Sequence, residues 1–150
     1  MDKIVFITGA SSGIGAGCAR KFASQGASLI LNARNVNKLS ALKEELEKQY
    51  GAKIYLLPFD VRDRKAATSA LEALPKEWQS IDILVNNAGL VIGTDKEQEG
   101  SLDEWDIVID TNIKALLAMT RLIVPGMVER KRGHIINIGS IAGRCCLSGR

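Results

Sequence analysis

Short apolar, β-branched runs alternate along this chain with longer stretches whose apolar positions recur at helical spacing. Residues 3–8, Lys-Ile-Val-Phe-Ile-Thr, form one such run ending at a glycine, as expected of a parallel strand buried on both faces. Ile14, Cys18 and Phe22, with Ala19 and Ala23 beside them, then mark a helix stopped by Gly26. Residues 27–31 read as a second strand, and Leu39, Leu42, Leu46 and Tyr50 as the inner face of a second helix ended by Gly51, with Glu44 and Lys48 as an i,i+4 pair. A third strand is expected at 53–57. A weaker helix follows through Ala66, Ala70, Leu71 and Leu74 before Pro75.

Residues 81–85 supply a fourth strand, and 93–101 are polar enough to read as a surface loop. A long helix is expected from about Thr111 to Glu129, with Leu116, Leu117, Thr120, Ile123 and Met127 on one side and a kink at Pro125. Residues 134–138 close the series as a fifth strand. Strict alternation without an internal repeat predicts an α/β fold, a doubly wound parallel sheet with right-handed crossovers. No linker divides it, so residues 1–150 are read as one domain of about five strands.

Composition narrows the function without naming it. The 46% hydrophobic and 25% charged residues are those of an ordinary globular domain. The net charge of +3 is dispersed, which argues against nucleic acid as a partner. The cluster Arg130-Lys131-Arg132 is read as the basic end of a helix. No run approaches the ~18 apolar residues of a membrane span, and the first residues enter a strand rather than a leader, so a cytoplasmic protein without membrane contact is expected. Cys18, Cys145 and Cys146 have no metal-ligand spacing, and Cys18 reads as a small core residue; no metal site is expected.

The chemistry sits at residues 8–15, Thr-Gly-Ala-Ser-Ser-Gly-Ile-Gly, between the first strand and the first helix. In a doubly wound sheet that turn faces the ligand crevice, and helix N–H groups there favour an anion. Gly9 suits a tight turn, Gly13 the close approach of a pyrophosphate, and Gly15 close packing of helix on strand, while Ser11 and Ser12 add hydroxyls. The absence of a Gly-Lys-Ser/Thr sequence disfavours a phosphate-hydrolysing loop. An acidic residue about 20 positions past the loop would hold a ribose 2′-hydroxyl. The chain has no carboxylate between Asp2 and Glu44, and Arg34 stands where a guanidinium could pair with a 2′-phosphate, assisted by Lys38. NADP is therefore expected as cofactor and NAD disfavoured.

Residues 8–15, then Asn86-Asn87-Ala88-Gly89 after the fourth strand, then Ser140 after the fifth, together resemble the short-chain dehydrogenase/reductase family, whose fold is Rossmann-like. The resemblance runs from Lys3 to about Gly143. Asn137-Ile138-Gly139-Ser140 and residues 125–130 are similar to the branch acting on serine, allo-threonine and 3-hydroxy acids. The resemblance implies hydride transfer between a nicotinamide and a small hydroxyl or carbonyl substrate, and homo-oligomers among full-length relatives. It places Ile14 with the glycine loop, Asp60 and Val61 at the adenine, and Asn87, Ala88 and Gly89 along the cofactor. It makes Ser140 the substrate-orienting serine and Asn112 the asparagine of a proton relay.

The family also uses a tyrosine and a lysine shortly after the serine, and here only ten residues follow Ser140. The tyrosines present, Tyr50 and Tyr55, read as packing residues, so the chain as written is expected to be truncated, inactive or nearly so, and poorly stable. Residues 144–150 depart from the family pattern. If the codons from Cys145 are TGC TGC CTA TCC GGG CGG followed by a TAA stop, reading one base later gives Ala-Ala-Tyr-Pro-Gly-Gly-Asn, which makes a frameshift compatible with that tail. A deliberate boundary is the rival reading. A noncatalytic dinucleotide-binding module or pseudoenzyme is the functional alternative. The Asn-Asn-Ala-Gly turn and Ser140 argue against a methyltransferase, and His134, at a strand start, reads as a packing or edge residue.

Overall fold

The computed structural model describes residues 3–93, 95–96 and 98–141. Five strands form one parallel sheet: β1 (Ile4–Ile7), β2 (Ser28–Leu31), β3 (Ile54–Leu56), β4 (Ile81–Asn86) and β5 (His134–Asn137), in the order β3-β2-β1-β4-β5. Register is continuous from Ile4 opposite Ser28 to Ile7 opposite Leu31, and β4 pairs with β5 from Ile83–His134 to Asn86–Asn137. The doubly wound α/β architecture expected from the alternation is the one observed. Because β1 lies between β2 and β4, the chain changes direction of winding there, and a crevice opens beyond the ends of β1 and β4.

The pleat divides the strand side chains between two cores. Val5, Ile7, Leu29, Leu31, Ile83 and Val85 face one side, where they meet helices α1 (Gly13–Ser24) and α2 (Val36–Tyr50). Phe6, Ile30 and Leu84 face the other, covered by α3 (Arg64–Glu72) and α5 (Ala115–Glu129) through Ala67, Ala115, Met119, Ile123 and Met127. All six residues of β4 are buried, which explains its apolar run Ile83-Leu84-Val85; its two polar residues, Asp82 and Asn86, are also buried. β5 is the outer strand on its side, with His134, Ile135 and Asn137 exposed.

Local signals set the helix starts. Asn35 caps α2 by accepting from Lys38 N–H at 2.9 Å, and Asp63 caps α3 by accepting from Ala66 N–H at 3.0 Å. The i,i+4 ion pair on α2 is Lys43–Glu47 at 3.6 Å rather than the expected Glu44–Lys48, and Arg20–Glu45 at 2.6 Å joins α1 to α2. On α1 the buried positions are Gly15, Ala16, Ala19 and Ala23, with Cys18 and Phe22 half-buried; Ile14, expected on the inner face, is 61% exposed. On α2 Leu39, Leu42 and Leu46 are buried, while Tyr50, at the helix end, is 38% exposed.

The principal departure lies between β4 and β5. The helix expected from Thr111 to Glu129 is a π-helical turn (Asp110–Lys114) followed by α5, which continues through Pro125, and a further helix with no assignment in the sequence, α4 (Leu102–Ile109), runs directly into the turn. Ser101, inside the stretch read as loop, caps α4 by accepting from Glu104 N–H. Thr94 and Glu97 of that stretch lie outside the described residues, as do Cys145, Cys146 and the whole tail 144–150. The basic cluster does follow the end of α5, but it is also anchored to the sheet. Arg130 donates to the Ile81 carbonyl at 2.7 Å, and Arg132 to the buried Asp82 carboxylate at 2.7 Å.

Candidate functional site

The turn after β1 is clamped from below by the turn after β4. Thr8 is buried, and its hydroxyl donates to the Val85 carbonyl at 3.3 Å while accepting from Asn87 N–H at 3.0 Å and Ala88 N–H at 2.9 Å. A hydroxyl offers one donor and two acceptor sites, so it is fully used. Asn87 returns the contact by donating from Nδ2 to the Thr8 carbonyl at 3.0 Å and the Gly9 carbonyl at 3.1 Å. A Cβ on Gly15 would stand 2.3 Å from the Gly9 oxygen and 2.5 Å from Asn87 Nδ2, so only glycine lets α1 begin this close to the clamp.

The upper side of the same turn is open. Gly13 has φ +52°, and nothing lies within 4 Å of the place its Cβ would occupy. Ser12, the residue before α1, makes no side-chain cap hydrogen bond, and Ser12, Gly13 and Ile14 are exposed while Ser11 is half-buried. An uncapped helix start carries partial positive charge on outward N–H groups, which favours an anion there.

Beyond β2, Asn32 is buried and ties three strand ends together. Its N–H donates to the Ile7 carbonyl at 3.0 Å, its carbonyl accepts from Ala10 N–H at 2.9 Å, and its side-chain amide donates to the Leu57 and Phe59 carbonyls at 2.9 and 3.1 Å. Arg34 then emerges into solvent with its side chain 68% exposed and its guanidinium 4.0 Å from Asp60. The Asp60 carboxylate is held by Arg62, whose Nε donates to both oxygens at 3.1 and 3.2 Å, whose Nη2 donates at 2.7 Å, and whose backbone N–H adds a contact at 3.0 Å. The Arg62 hydrogen bonds keep the Asp60 carboxyl below the usual aspartate range. Val61 is buried against a cavity of about 130 Å³ that Arg62, Arg64, Asp110 and Lys114 also line.

At the end of β4, Asn86 donates from Nδ2 to Thr120 Oγ1 and Asn137 Oδ1, both at 3.0 Å, and its carbonyl accepts from Ile138 N–H at 3.0 Å. The chain thus leaves β5 in a fixed position two residues before the exposed Ser140. Asn112, in the π-helical turn, accepts from Leu90 N–H at 2.9 Å and donates to the Leu90 carbonyl at 2.7 Å. π-turns occur disproportionately at functional sites because they rotate side chains out of the helical repeat. A Cβ on Gly89 would stand 3.2 Å from Asn112 Oδ1, so Asn112 and the 87–89 turn are in close contact.

The structure therefore brings together, beyond the strand ends, Gly9, Ser11, Ser12, Gly13, Ile14 and Gly15 with Asn87, Ala88 and Gly89, and sets Asn112 beside the latter. Arg34 and Asp60 form a second group beyond β2 and β3, and Ser140 a third beyond β5. Four contributors escaped the sequence reading: Asn32, Arg62, Asn86, and Thr8 as the hydroxyl at the centre of the clamp. Thr8 and Asn86 are the first residues of the two motifs, which is their only signal; Asn32 acts through partners 25 and 27 residues away, and Arg62 acts on Asp60, two residues before it.

Residues 3–149 match the family model described as short chain dehydrogenase. The chain is 49% identical over 140 residues to the NADP-dependent 3-hydroxy acid dehydrogenase of Escherichia coli K12, covering 93% of this chain and 55% of that protein. It is 43% identical over 143 residues to the NADP-dependent 3-hydroxy acid dehydrogenase of Schizosaccharomyces pombe, covering 95% and 55%. Among solved structures, serine dehydrogenase from Escherichia coli superposes with a TM-score of 0.90 at 47% identity, covering 97% of this chain and 66% of that one. The closed form of serine dehydrogenase complexed with NADP+ gives 0.89 at 46% identity, covering 97% and 57%. The chain spans about half the length of the curated relatives it matches.

Proposed function

This chain belongs to the short-chain dehydrogenase family, and from that premise we propose that it is the cofactor-binding part of an NADP-dependent oxidoreductase acting on the hydroxyl or carbonyl group of a small substrate. Serine, allo-threonine or a 3-hydroxy acid is the substrate class we favour, from the likeness to the 3-hydroxy acid and serine dehydrogenases. The observation that carries the reading is the two-sided glycine turn, locked to Asn87 and Thr8 beneath and open over Gly13 above.

The residues suit the dinucleotide. Open space over Gly13 admits a diphosphate against the first N–H groups of α1, with Ser11 and Ser12 as further donors. Arg34 is the cation for the 2′-phosphate, and no carboxylate ends β2 to prefer a free ribose hydroxyl. Asp60 and Val61 face the adenine, and Asn87, Ala88 and Gly89 follow the nucleotide toward its reactive end. When bound, the cofactor supplies or accepts hydride. Ser140 orients the substrate oxygen, and Asn112, fixed by Leu90, retains one amide hydrogen for a proton-relay contact.

A second reading, a noncatalytic dinucleotide-binding module, is favoured by the placement of the tyrosines. Tyr55 lies on β3, at the opposite edge of the sheet from β5 and Ser140, packed on Trp78 at a centroid distance of 5.6 Å. Tyr50 ends α2, at the end of the sheet away from the glycine turn. Neither can serve Ser140, so turnover by these 150 residues alone is expected to be about 10²- to 10⁴-fold below that of an enzyme with a placed acid/base. Fluorescence titration with NADPH, followed by turnover assays on serine and 3-hydroxy acids, separates the readings: binding without turnover favours the module, and absence of binding rejects both.

A further inference from the structure

We propose that Arg62 sets the preference for NADP over NAD by occupying the Asp60 carboxylate, so that Arg34 remains available to a 2′-phosphate; this inference rests on the reading of the site given above.

Asp60 lies between two guanidinium groups and does not treat them alike. Arg62 meets both carboxylate oxygens through Nε and Nη2, at 2.7 to 3.2 Å, and adds its own backbone N–H at 3.0 Å. Arg34 approaches only to 4.0 Å, outside hydrogen-bond distance, with its side chain 68% exposed. The bidentate partner is the stronger one, and it consumes most of the acceptor capacity of Asp60. Arg34 is therefore tethered by Coulomb attraction alone and is free to turn to another anion.

The arrangement solves a problem that Asp60 creates. A bare carboxylate 4 Å from the only arginine at the end of β2 would compete with a phosphate monoester for that arginine and would repel the phosphate itself. Arg62 neutralises Asp60 at short range and removes both effects. Arg62 does not need to touch the phosphate, so it is a positioning residue, and its effect is confined to nucleotides that carry the 2′-phosphate. A nucleotide with a free 2′-hydroxyl makes no demand on Arg34 and is indifferent to Arg62.

The test is fluorescence titration of the 150-residue chain, its R62Q, R62K and R62Q/D60N variants, with NADPH and with NADH, each protein checked by thermal melting. R62Q should raise the NADPH dissociation constant about tenfold and the NADH constant less than about twofold. R62K, which keeps charge but not the fork, should fall between, and R62Q/D60N should return the ratio of NADPH to NADH affinity to within about threefold of the parent, because the competing carboxylate is gone and any change at the adenine is common to both nucleotides. Equal weakening of both nucleotides, or failure of D60N to rescue, would overturn the role of Arg62 while leaving the NADP site standing. Failure of the parent chain to bind NADPH would overturn the site and this inference together.

Discussion

Asn112 and Leu90 form a closed pair: the Leu90 N–H donates to Asn112 Oδ1 at 2.9 Å, and Asn112 Nδ2 donates to the Leu90 carbonyl at 2.7 Å. The pair fastens the π-helical turn between α4 and α5 to the segment leaving β4. Replacing Asn112 by Asp would turn the Nδ2 donor into an acceptor facing a carbonyl. Asn112→Asp should destabilise the fold by about 1–3 kcal/mol, the cost of an unmatched half-buried polar group. Denaturant midpoints of the two proteins check this, and an unchanged midpoint would show that the pair contributes nothing.

The two inner glycines should fail differently. Gly15→Ala places a methyl 2.3 Å from the Gly9 carbonyl oxygen, a backbone atom that cannot step aside, and should cost about 1–3 kcal/mol or more in stability. Gly13→Ala meets no atom, so its cost is the strain of φ +52°, about 1 kcal/mol, and its larger effect should be on NADPH affinity. Melting curves and NADPH titrations of both variants distinguish a packing glycine from a ligand-facing one.

Much of this organisation is legible in the sequence because the sheet imposes it locally. β-branched runs bounded by glycine or proline read directly as the buried strands, and the expected glycine turn falls at the winding switch between β1 and β4. What escaped was written in other terms. α4 lies between the stretch read as loop, 93–101, and the helix expected from Thr111, and has no assignment in the sequence; Leu102, Trp105 and Ile109 face outward, at 71%, 37% and 42% exposure, so its apolar residues report no core. The π-helical turn then shifts the repeat, moving the visible helical pattern to Thr111. The spacing of Ile14 from Cys18 suits the inner face of a helix, yet the open glycine turn leaves it uncovered. Asn32 carries no local pattern, since its partner stands 25 residues away, and Arg62 pairs with Asp60 two residues before it in a turn that follows no helical or strand repeat.

Arg34 should matter for one nucleotide more than another. Loss of a charge-assisted contact to phosphate is worth about 1.5–3 kcal/mol, so Arg34→Ala should weaken NADPH by roughly 10- to 100-fold and NADH far less. Parallel titrations at constant ionic strength measure the ratio. Equal affinities for NADPH before and after the change would remove Arg34 from the site.

The Asp60–Arg62 pair gives a pH signature of known sign. The hydrogen bonds from Arg62 lower the Asp60 pKa in the folded protein below its unfolded value. The pair therefore stabilises the fold fully above the ordinary aspartate range near 3.9, and this contribution is lost as pH falls below that range through the folded value. Asp60→Asn should be less stable than the parent at neutral pH, and the difference should shrink toward zero on acidification below about pH 4. Chemical denaturation of both proteins across pH 2.5–7 reads the difference, and a gap that persists unchanged at the acid end would exclude the carboxylate as its source.

The account depends most on the glycine turn receiving the diphosphate of a reduced or oxidised NADP. Isothermal calorimetry of the folded chain with NADPH, run beside its Gly13→Ala variant, measures this directly. A single saturable site in the parent, weakened at least tenfold in the variant while both melt within a few degrees of each other, is the expected result. Equal heats from the two proteins, or none from the parent, would contradict it.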